Sequence, residues 1–394
     1  MPAQREPVSD LHHTTCDVAV VGGGVIGLAV AWRARARGLS VVVLERDAVP
    51  PTGGSSYVAA GMLAPVAEAE FGERALLALG LESARRWPSF AAELTDVTGV
   101  DPGYRPAGTL VVARDGAEAA WLDREAAFRE RVGLRAERLR PAQARTLEPA
   151  LAPALRAAME VPDDHTADPR ALLRVLHAAA TAAGVVVRER TPVTSLVVED
   201  GRATGVRLED GGEVRASTGV LLAAGAWTTV LDGVPPAARL PVRPLKGQIM
   251  RLSDPAGPDS PGLVERTIRY ETGYLVPRGG GRYVLGATME EQGFDTAVTA
   301  GGAYELIRDA AELVPGVLEL RIDDFLAGLR PTTPDNAPVL GAHPACPGLH
   351  YATGHHRNGI LLAPVTADLV AAELAGEPAD HPFGPARFAA EVVS

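Results

Sequence analysis

Cysteine is almost missing from this 394-residue chain, where Cys16 and Cys346 are the two present. They lie far apart with no CxxC pair, which excludes a disulfide framework and a cysteine-based metal site; free thiols in a reducing compartment are expected. Lysine is scarcer still, with Lys246 alone against a crowd of arginines, an imbalance read as composition bias. No Walker-type loop carries a lysine, and no Gly-x-Ser-x-Gly elbow occurs, so phosphate-loop and serine-hydrolase chemistry are set aside. The nine histidines form no HxH or HExxH pattern, and the side chains of the adjacent His355 and His356 would diverge, so no metal is expected. No apolar run nears the roughly 18 residues of a membrane helix. A formal charge of −11 argues against general affinity for nucleic acid or anionic membranes. Residues 1–15 are polar, carry Pro2, Pro7 and Asp10, and lack the apolar core of a signal peptide. They read as a flexible leader, and the cytoplasm is the expected location.

What is present is an ordinary globular composition, 46% hydrophobic and 22% charged, in a chain long enough for two domains. The most informative stretch is 17–46. A buried strand over 18–21 leads to Gly22-x-Gly24-x-x-Gly27, then an Ala-rich helix from about Val25 to Gly38, a second strand over 41–44, and Glu45. The first glycine permits a tight turn, the second admits a pyrophosphate, and the third lets helix and strand approach closely. Phosphates would meet the free N–H groups at the helix start, and Glu45 would accept hydrogen bonds from a ribose diol. Such a βαβ unit implies a dinucleotide. Glu45 argues against a 2′-phosphate, but NAD and FAD both remain possible at this point.

The Pro/Gly/Ser-rich segment 50–57 is either a plain connection or a loop closing over phosphates through Ser55 and Ser56. A helix is expected over 73–94, broken or kinked at Pro88. A strand over 108–113 and a helix over 117–132 make a first excursion away from the dinucleotide unit. Asp168 as N-cap and Pro169 at the first helical position start another helix running to Gly184. Strands over 185–187, 193–198, 205–208, 213–216 and 219–223 follow, with hairpin turns at 199–201 and 209–212. The last ends in small residues at Gly225, where backbone can approach a cofactor. A second excursion carries strands over 247–252, 267–270, 273–277, 282–287 and 323–328 and a helix over 303–313, suggesting a mainly antiparallel sheet. A final strand over 349–354, a polar turn and a helix over 360–374 close the chain; the N-terminus of that helix could stabilise negative charge.

Fold class is therefore α/β: a Rossmann-like dinucleotide-binding domain with a second α+β substrate domain built around a mainly antiparallel sheet. The dinucleotide domain is expected over 16–101, 163–238 and 327–394, the substrate domain over 102–162 and 239–326. Among the arginines, Arg330, expected just after its strand, and Arg357 in the tail turn are candidates to hold a carboxylate bidentately. Tyr270 and Tyr274 could assist through their hydroxyls.

Four further motifs are MLAP at 62–65, VPR…GATM over 276–289, AGLRP at 327–331 and GHHRNGILLAP at 354–364. With the fingerprint, they make the chain resemble the glycine oxidases of thiamine biosynthesis, in the FAD-dependent superfamily of D-amino acid oxidase and sarcosine oxidase. The resemblance spans about residues 17–374. It implies non-covalent FAD and oxidation of glycine, sarcosine or a small D-amino acid to an imine, with ammonia and hydrogen peroxide released. It further implies Arg330 on the substrate carboxylate, Arg357 beside substrate and flavin, Tyr274 in the active site and Met289 in the substrate pocket. The FAD contacts it implies are Val25, Ile26, Glu45, Arg46, Ser55, Ser56, Ala60, Gly61, Met62, Val193, His355, His356, Arg357, Asn358, Gly359, Ile360 and Leu361. Molecular oxygen is the implied electron acceptor, a homo-oligomer such as a tetramer the implied assembly, and no protein side chain acts as nucleophile. Thr272 stands where a family member has histidine, and the stretch 270–274 looks one residue shorter than in that relative, which bears on substrate range. A dehydrogenase of the same fold using a quinone or protein acceptor, and a flavin-binding protein without turnover, are the alternatives.

Overall fold

In the computed structural model, residues 13–259 and 261–388 are described. The first strand, β1 (His13–Val21), the helix α1 (Val25–Ala36) and the strand β2 (Val41–Leu44) form the expected βαβ unit. β1 begins at His13, so the end of the expected leader, 13–15, is strand, drawn into register by pairing with Glu213 through Arg215. The rest of that leader, 1–12, lies outside the described residues. Residues Val25–Trp32 of α1 are apolar on every side because they are covered on every side: the helix packs on the sheet and against the helices Pro169–Ala182 and Ala363–Leu374.

The first sheet has a parallel centre in the spatial order Leu349–Thr353, Glu213–Leu222, β1, β2, Val186–Arg188. Where two strands were expected over 213–223, one ten-residue strand runs through. Its first half pairs antiparallel with Arg202–Leu208 and its second half parallel with Leu349–Thr353, so each half has a different neighbour. A strand unseen in the sequence, Val339–Ala342, pairs with Leu349–Thr353. The hairpin turn at 200–201 has both central residues at positive φ, Asp200 at 49° and Gly201 at 77°, the twist that a two-residue hairpin prefers.

The helix Arg74–Thr98 continues through Pro88 without breaking. Proline in a helix interior costs about 3 kcal/mol. Trp87, Phe90 and Leu94 are buried, and Trp87 Nε1 donates to the Leu361 carbonyl at 2.9 Å, so tertiary packing outweighs the local penalty. Asp168 caps Pro169–Ala182 as expected, accepting from the N–H of Arg170 and Ala171.

The second sheet has eight strands, with Arg321–Thr332, Arg243–Ser253, Arg282–Gly286, Gly273–Gly279, Thr267–Tyr270 and Thr109–Ala113 as its first six in order. Its pairs are antiparallel except for Thr267–Tyr270 with Thr109–Ala113. One face carries a core under the helix Ala300–Leu313, and the other turns toward the dinucleotide unit. The expected domain boundary at 326/327 falls inside a strand: Arg321–Thr332 pairs with Arg243–Ser253 along its whole length, to Thr332 opposite Arg243. Arg330 is thus a strand residue. Among the described residues no helix is long and apolar enough to cross a membrane, and both cysteines are free and buried.

Candidate active site

A cavity of about 420 Å³ runs between the two sheets, from the tip of β2 to the antiparallel face. At its first end Glu45 is buried, its Oε2 accepting from Gly23 N–H at 2.6 Å and its Oε1 from Asp47 N–H at 3.0 Å. Burial raises its pKa, and those two N–H groups hold it down. Arg46 lays its guanidinium on the Trp227 ring, 4.0 Å from the centroid, and Val193 lines the wall beside them. Gly22 has φ of 110°, and a Cβ at Gly27 would fall on the Gly22 carbonyl oxygen, so these two glycines serve the turn and the helix–strand contact. Gly24 differs. It is the N-cap of α1 with no capping side chain, and a Cβ there would meet just Ser56 Oγ, at 3.4 Å. The helix N-terminus therefore opens on the cavity through an uncrowded glycine, its first N–H, that of Val25, donating to Ser56 Oγ at 3.2 Å. Apolar core behind, amide donors in front and a buried carboxylate at the tip of β2 fit an adenine dinucleotide.

The loop after β2 is partly helical, Ser55–Val58, and Ser55, Ser56, Ala60, Gly61 and Met62 line the cavity with Val25, Ile26 and Gly225. Val58 and Ala60 pack on Ile249, Val276 and Val284 of the second sheet, which joins the loop to the antiparallel face. In the tail, the last helix begins at Ala363, three residues later than expected. Residues 355–362 form a tight turn instead, with Asn358 N–H donating to the His355 carbonyl and the Asn358 carbonyl accepting from Leu362. His355, His356, Arg357, Gly359 and Ile360 line the cavity; Asn358 and Leu361 do not. The Leu361 carbonyl is turned away, accepting from Ser83 Oγ at 2.6 Å and from Trp87. His355 pairs with Thr366 Oγ1 at 3.0 Å and His356 with Thr332 Oγ1 at 2.9 Å. Burial depresses both pKa values to about 3, so both rings are neutral at pH 7.

At the far end stand Glu68, Arg269, Tyr270, Tyr274, Arg330 and Arg357. Arg330 Nη1 donates to the carbonyl of Thr288 at 3.2 Å and lies 3.4 Å from that of Lys246. The guanidinium lies flat over Gly247, where a Cβ would come within 2.5 Å of Nη1 and Nη2. Tyr274 is half-buried beside it, and desolvation raises the phenol pKa against the opposing Arg330 charge, leaving a neutral donor. Met289 lines the cavity but is 66% exposed, which puts it at the rim. Its loop is tethered by Lys246, the one lysine, just 1% exposed and 2.9 Å from Asp295. Gln248 adds hydrogen bonds to Glu290 and Thr299.

Sequence reasoning missed Glu68, Arg269, Gly247 and Trp227. Arg269 had a signal: a hairpin of 267–270 with 273–277 across a two-residue turn sets it opposite Tyr274, the pairing observed. Glu68 and Gly247 had none, because their neighbours are remote in sequence.

The chain matches the family described as FAD dependent oxidoreductase over residues 17–373. It belongs to the FAD-dependent oxidoreductases. FAD is thus the dinucleotide of this cavity, and the fold is the two-domain architecture of that family. A bifunctional protein ThiO/ThiG of Synechocystis sp. is 37% identical over 95% of the chain, which spans about half of that relative, 54% of its length. A glycine oxidase of Geobacillus kaustophilus is 37% identical over 90% of the chain and 92% of its own length. The crystal structure of glycine oxidase from Geobacillus kaustophilus superposes with a TM-score of 0.86 at 35% identity, covering 94% of this chain and 98% of that one.

Proposed function

We propose that this flavoenzyme oxidises the amine of a small amino acid, glycine foremost and sarcosine and small D-amino acids beside it, with molecular oxygen as electron acceptor. The observation that carries the reading is Arg330, a guanidinium fixed over Gly247 in a cavity that continues to the FAD-binding βαβ unit. Bound FAD would take a hydride from the substrate Cα and return two electrons to oxygen as hydrogen peroxide. Arg330 grips the substrate carboxylate with two parallel N–H donors and so fixes which Cα–H faces the cofactor. Tyr274, neutral, offers its hydroxyl to the same carboxylate. Arg269, Arg330 and Arg357 together make an ammonium group unfavourable here, which keeps the amine neutral and its lone pair free to assist the departure of hydride. The neutral His355 and His356 add no charge to the tail turn, and no protein nucleophile is required. Water hydrolyses the released imine, so glycine, oxygen and water give glyoxylate, ammonia and peroxide.

The roles given to the candidate residues belong to this proposal, as does a division into a discontinuous FAD unit and a substrate unit whose second segment ends at about Thr332. So do service to thiamine biosynthesis through the glycine imine, a cytoplasmic location and a homo-oligomeric state. The test is a yellow protein bleached anaerobically by glycine, with peroxide released when air is readmitted. Bleaching by none of glycine, sarcosine, D-alanine and D-proline would overturn the reading. Bleaching without peroxide would assign the electrons to another acceptor.

A further inference from the structure

The cavity holds more positive charge than one substrate carboxylate needs. Arg269 stands on the strand Thr267–Tyr270 directly opposite Tyr274, so the two side chains share a face of the sheet. Arg357 reaches the same space from the tail turn. Both guanidinium groups approach one atom, Oε1 of Glu68, at 3.8 Å each, which is an ion-pair distance beyond hydrogen-bond reach. Glu68 is itself held in place. The fully buried Asp164 accepts from Val66 N–H at 3.1 Å and Ala67 N–H at 2.5 Å. Arg129, 1% exposed, donates to the carbonyls of the same two residues at 2.9 and 2.8 Å. Four hydrogen bonds from two buried charged residues thus pin the chain just before Glu68. Of the other acids nearby, Glu271 on this wall is exposed, and Glu70 and Glu125, within electrostatic reach of Arg357 and Arg269, do not line the cavity.

Three guanidinium charges therefore face one carboxylate fixed in the wall. Glu68 answers Arg269 and Arg357 and leaves Arg330 for the substrate. We propose that Glu68 restricts the cavity to substrates with a single acidic group, its carboxylate holding the place between Arg269 and Arg357 that a second substrate carboxylate would otherwise take. This rests on the amino-acid reading given above. A dianionic substrate meets Glu68, whose side chain is 14% exposed, as a like charge at short range; Glu68→Gln keeps the shape, removes the repulsion and frees two guanidinium groups.

The test uses the FAD-loaded enzyme and reads binding from the change in its visible flavin spectrum, with acetate as the monoanion and malonate as the dianion. The wild type is expected to bind acetate more tightly than malonate despite its three arginines. Glu68→Gln should tighten malonate at least about tenfold while leaving acetate within a few-fold, Glu68→Asp should behave as wild type, and Glu68→Gln with Arg269→Leu should lose the gain. In turnover, the ratio of kcat/KM for iminodiacetate over glycine should rise by about the same factor in Glu68→Gln. A wild type that prefers malonate, a parallel change for both anions, or a gain that survives loss of Arg269 would overturn the proposal. The wild-type comparison decides even where Glu68→Gln does not hold FAD. Failure of the wild type to oxidise any amino acid would strike the reaction reading, while the two anions would still judge Glu68.

Discussion

Replacing Gly247 by alanine should remove the work of Arg330 without touching Arg330. The backbone at Gly247 lies in an ordinary extended strand, not in the left-handed region, so alanine is conformationally free to stand there. What it meets is the guanidinium: its Cβ would sit 2.5 Å from Nη1 and Nη2 and 2.6 Å from Cζ of Arg330. Ordinary contact begins near 3.4 Å, so the planar group must retreat by about 1 Å. Because the obstacle is the end of a flexible side chain, the fold loses little. The loss of glycine's freedom in the unfolded chain even favours the variant by about 0.4–1 kcal/mol. A fork displaced by about 1 Å can no longer place two donors on a carboxylate, and a shift of that size costs on the order of a hundredfold. Each hydrogen bond to a charged group contributes about 1.5–3 kcal/mol, which gives the same range from energetics. The expected result is a KM for glycine raised about 30- to 100-fold in a peroxide-coupled assay, with flavin content and Tm held. A KM within about threefold of wild type would refute the reasoning, because the guanidinium would then have somewhere else to work. A loss of FAD in step with activity would refute it too, by showing that Gly247 supports the fold.

Two further expectations come from the cofactor end and the tail turn. Gly24→Ala should fold with a Tm near that of wild type but purify without flavin, since its Cβ makes just an ordinary contact with Ser56 Oγ in the protein alone and occupies the approach to α1; Gly27→Ala should fail to fold, because its Cβ falls on the Gly22 carbonyl. Visible absorbance and thermal melting of the two variants separate these outcomes. The neutral, buried His355 and His356 make stability fall in acid: with folded pKa values near 3, the unfolded chain binds the extra protons between about pH 6.5 and 3, so stability present above the unfolded value is lost as pH falls. Each ring should contribute a loss of about 1.4 kcal/mol at about pH 5.5, so His355→Asn should shrink by about that amount the difference in urea stability between pH 7.5 and 5.5. An unchanged difference would mean that the ring already carries its proton in the fold.

The two ends of the cavity differ in how far the sequence exposes them, and the reason is chain distance. Gly22, Gly24, Gly27 and Glu45 work within one continuous βαβ unit whose periodicity and turn chemistry are local, so their relations follow from spacing. Asp168 and Pro169 announce their helix for the same reason. Pro88 misleads because packing around Trp87 and Phe90, from residues hundreds of positions away, overrides a local penalty. Arg330 was expected just beyond its strand because hydrophobic patterning fades at Gly328. The strand continues because Arg243–Ser253 supplies a full ladder of partners, which no local pattern reports. The helix expected at Ile360 starts at Ala363 because the backbone of Asn358 and Leu361 is engaged in the turn and with the helix Arg74–Thr98. Glu68 meets Arg269 and Arg357 across three separate segments, and that meeting exists only in the folded molecule.

The antiparallel face also shows how a narrow cavity carries large polar groups. Arg330 lies over Gly247 of the neighbouring strand, and Tyr274 over Gly286, which is its directly paired residue. In each case a Cβ on the glycine would come within about 3 Å of the guanidinium or phenol. A long side chain standing upright on a strand would fill the space between the sheets; lying across a glycine, it presents its polar edge and leaves the volume open. Glycine weakens a strand interior, where it packs nothing and loses most entropy on ordering. Two such glycines under two cavity side chains therefore mark positions where room for substrate outweighs strand stability. The hairpin that carries Tyr274 also sets Arg269 opposite it. Substrate room and the extra cation that Glu68 must answer are thus fixed by one hairpin, and a change in its turn length would alter both at once.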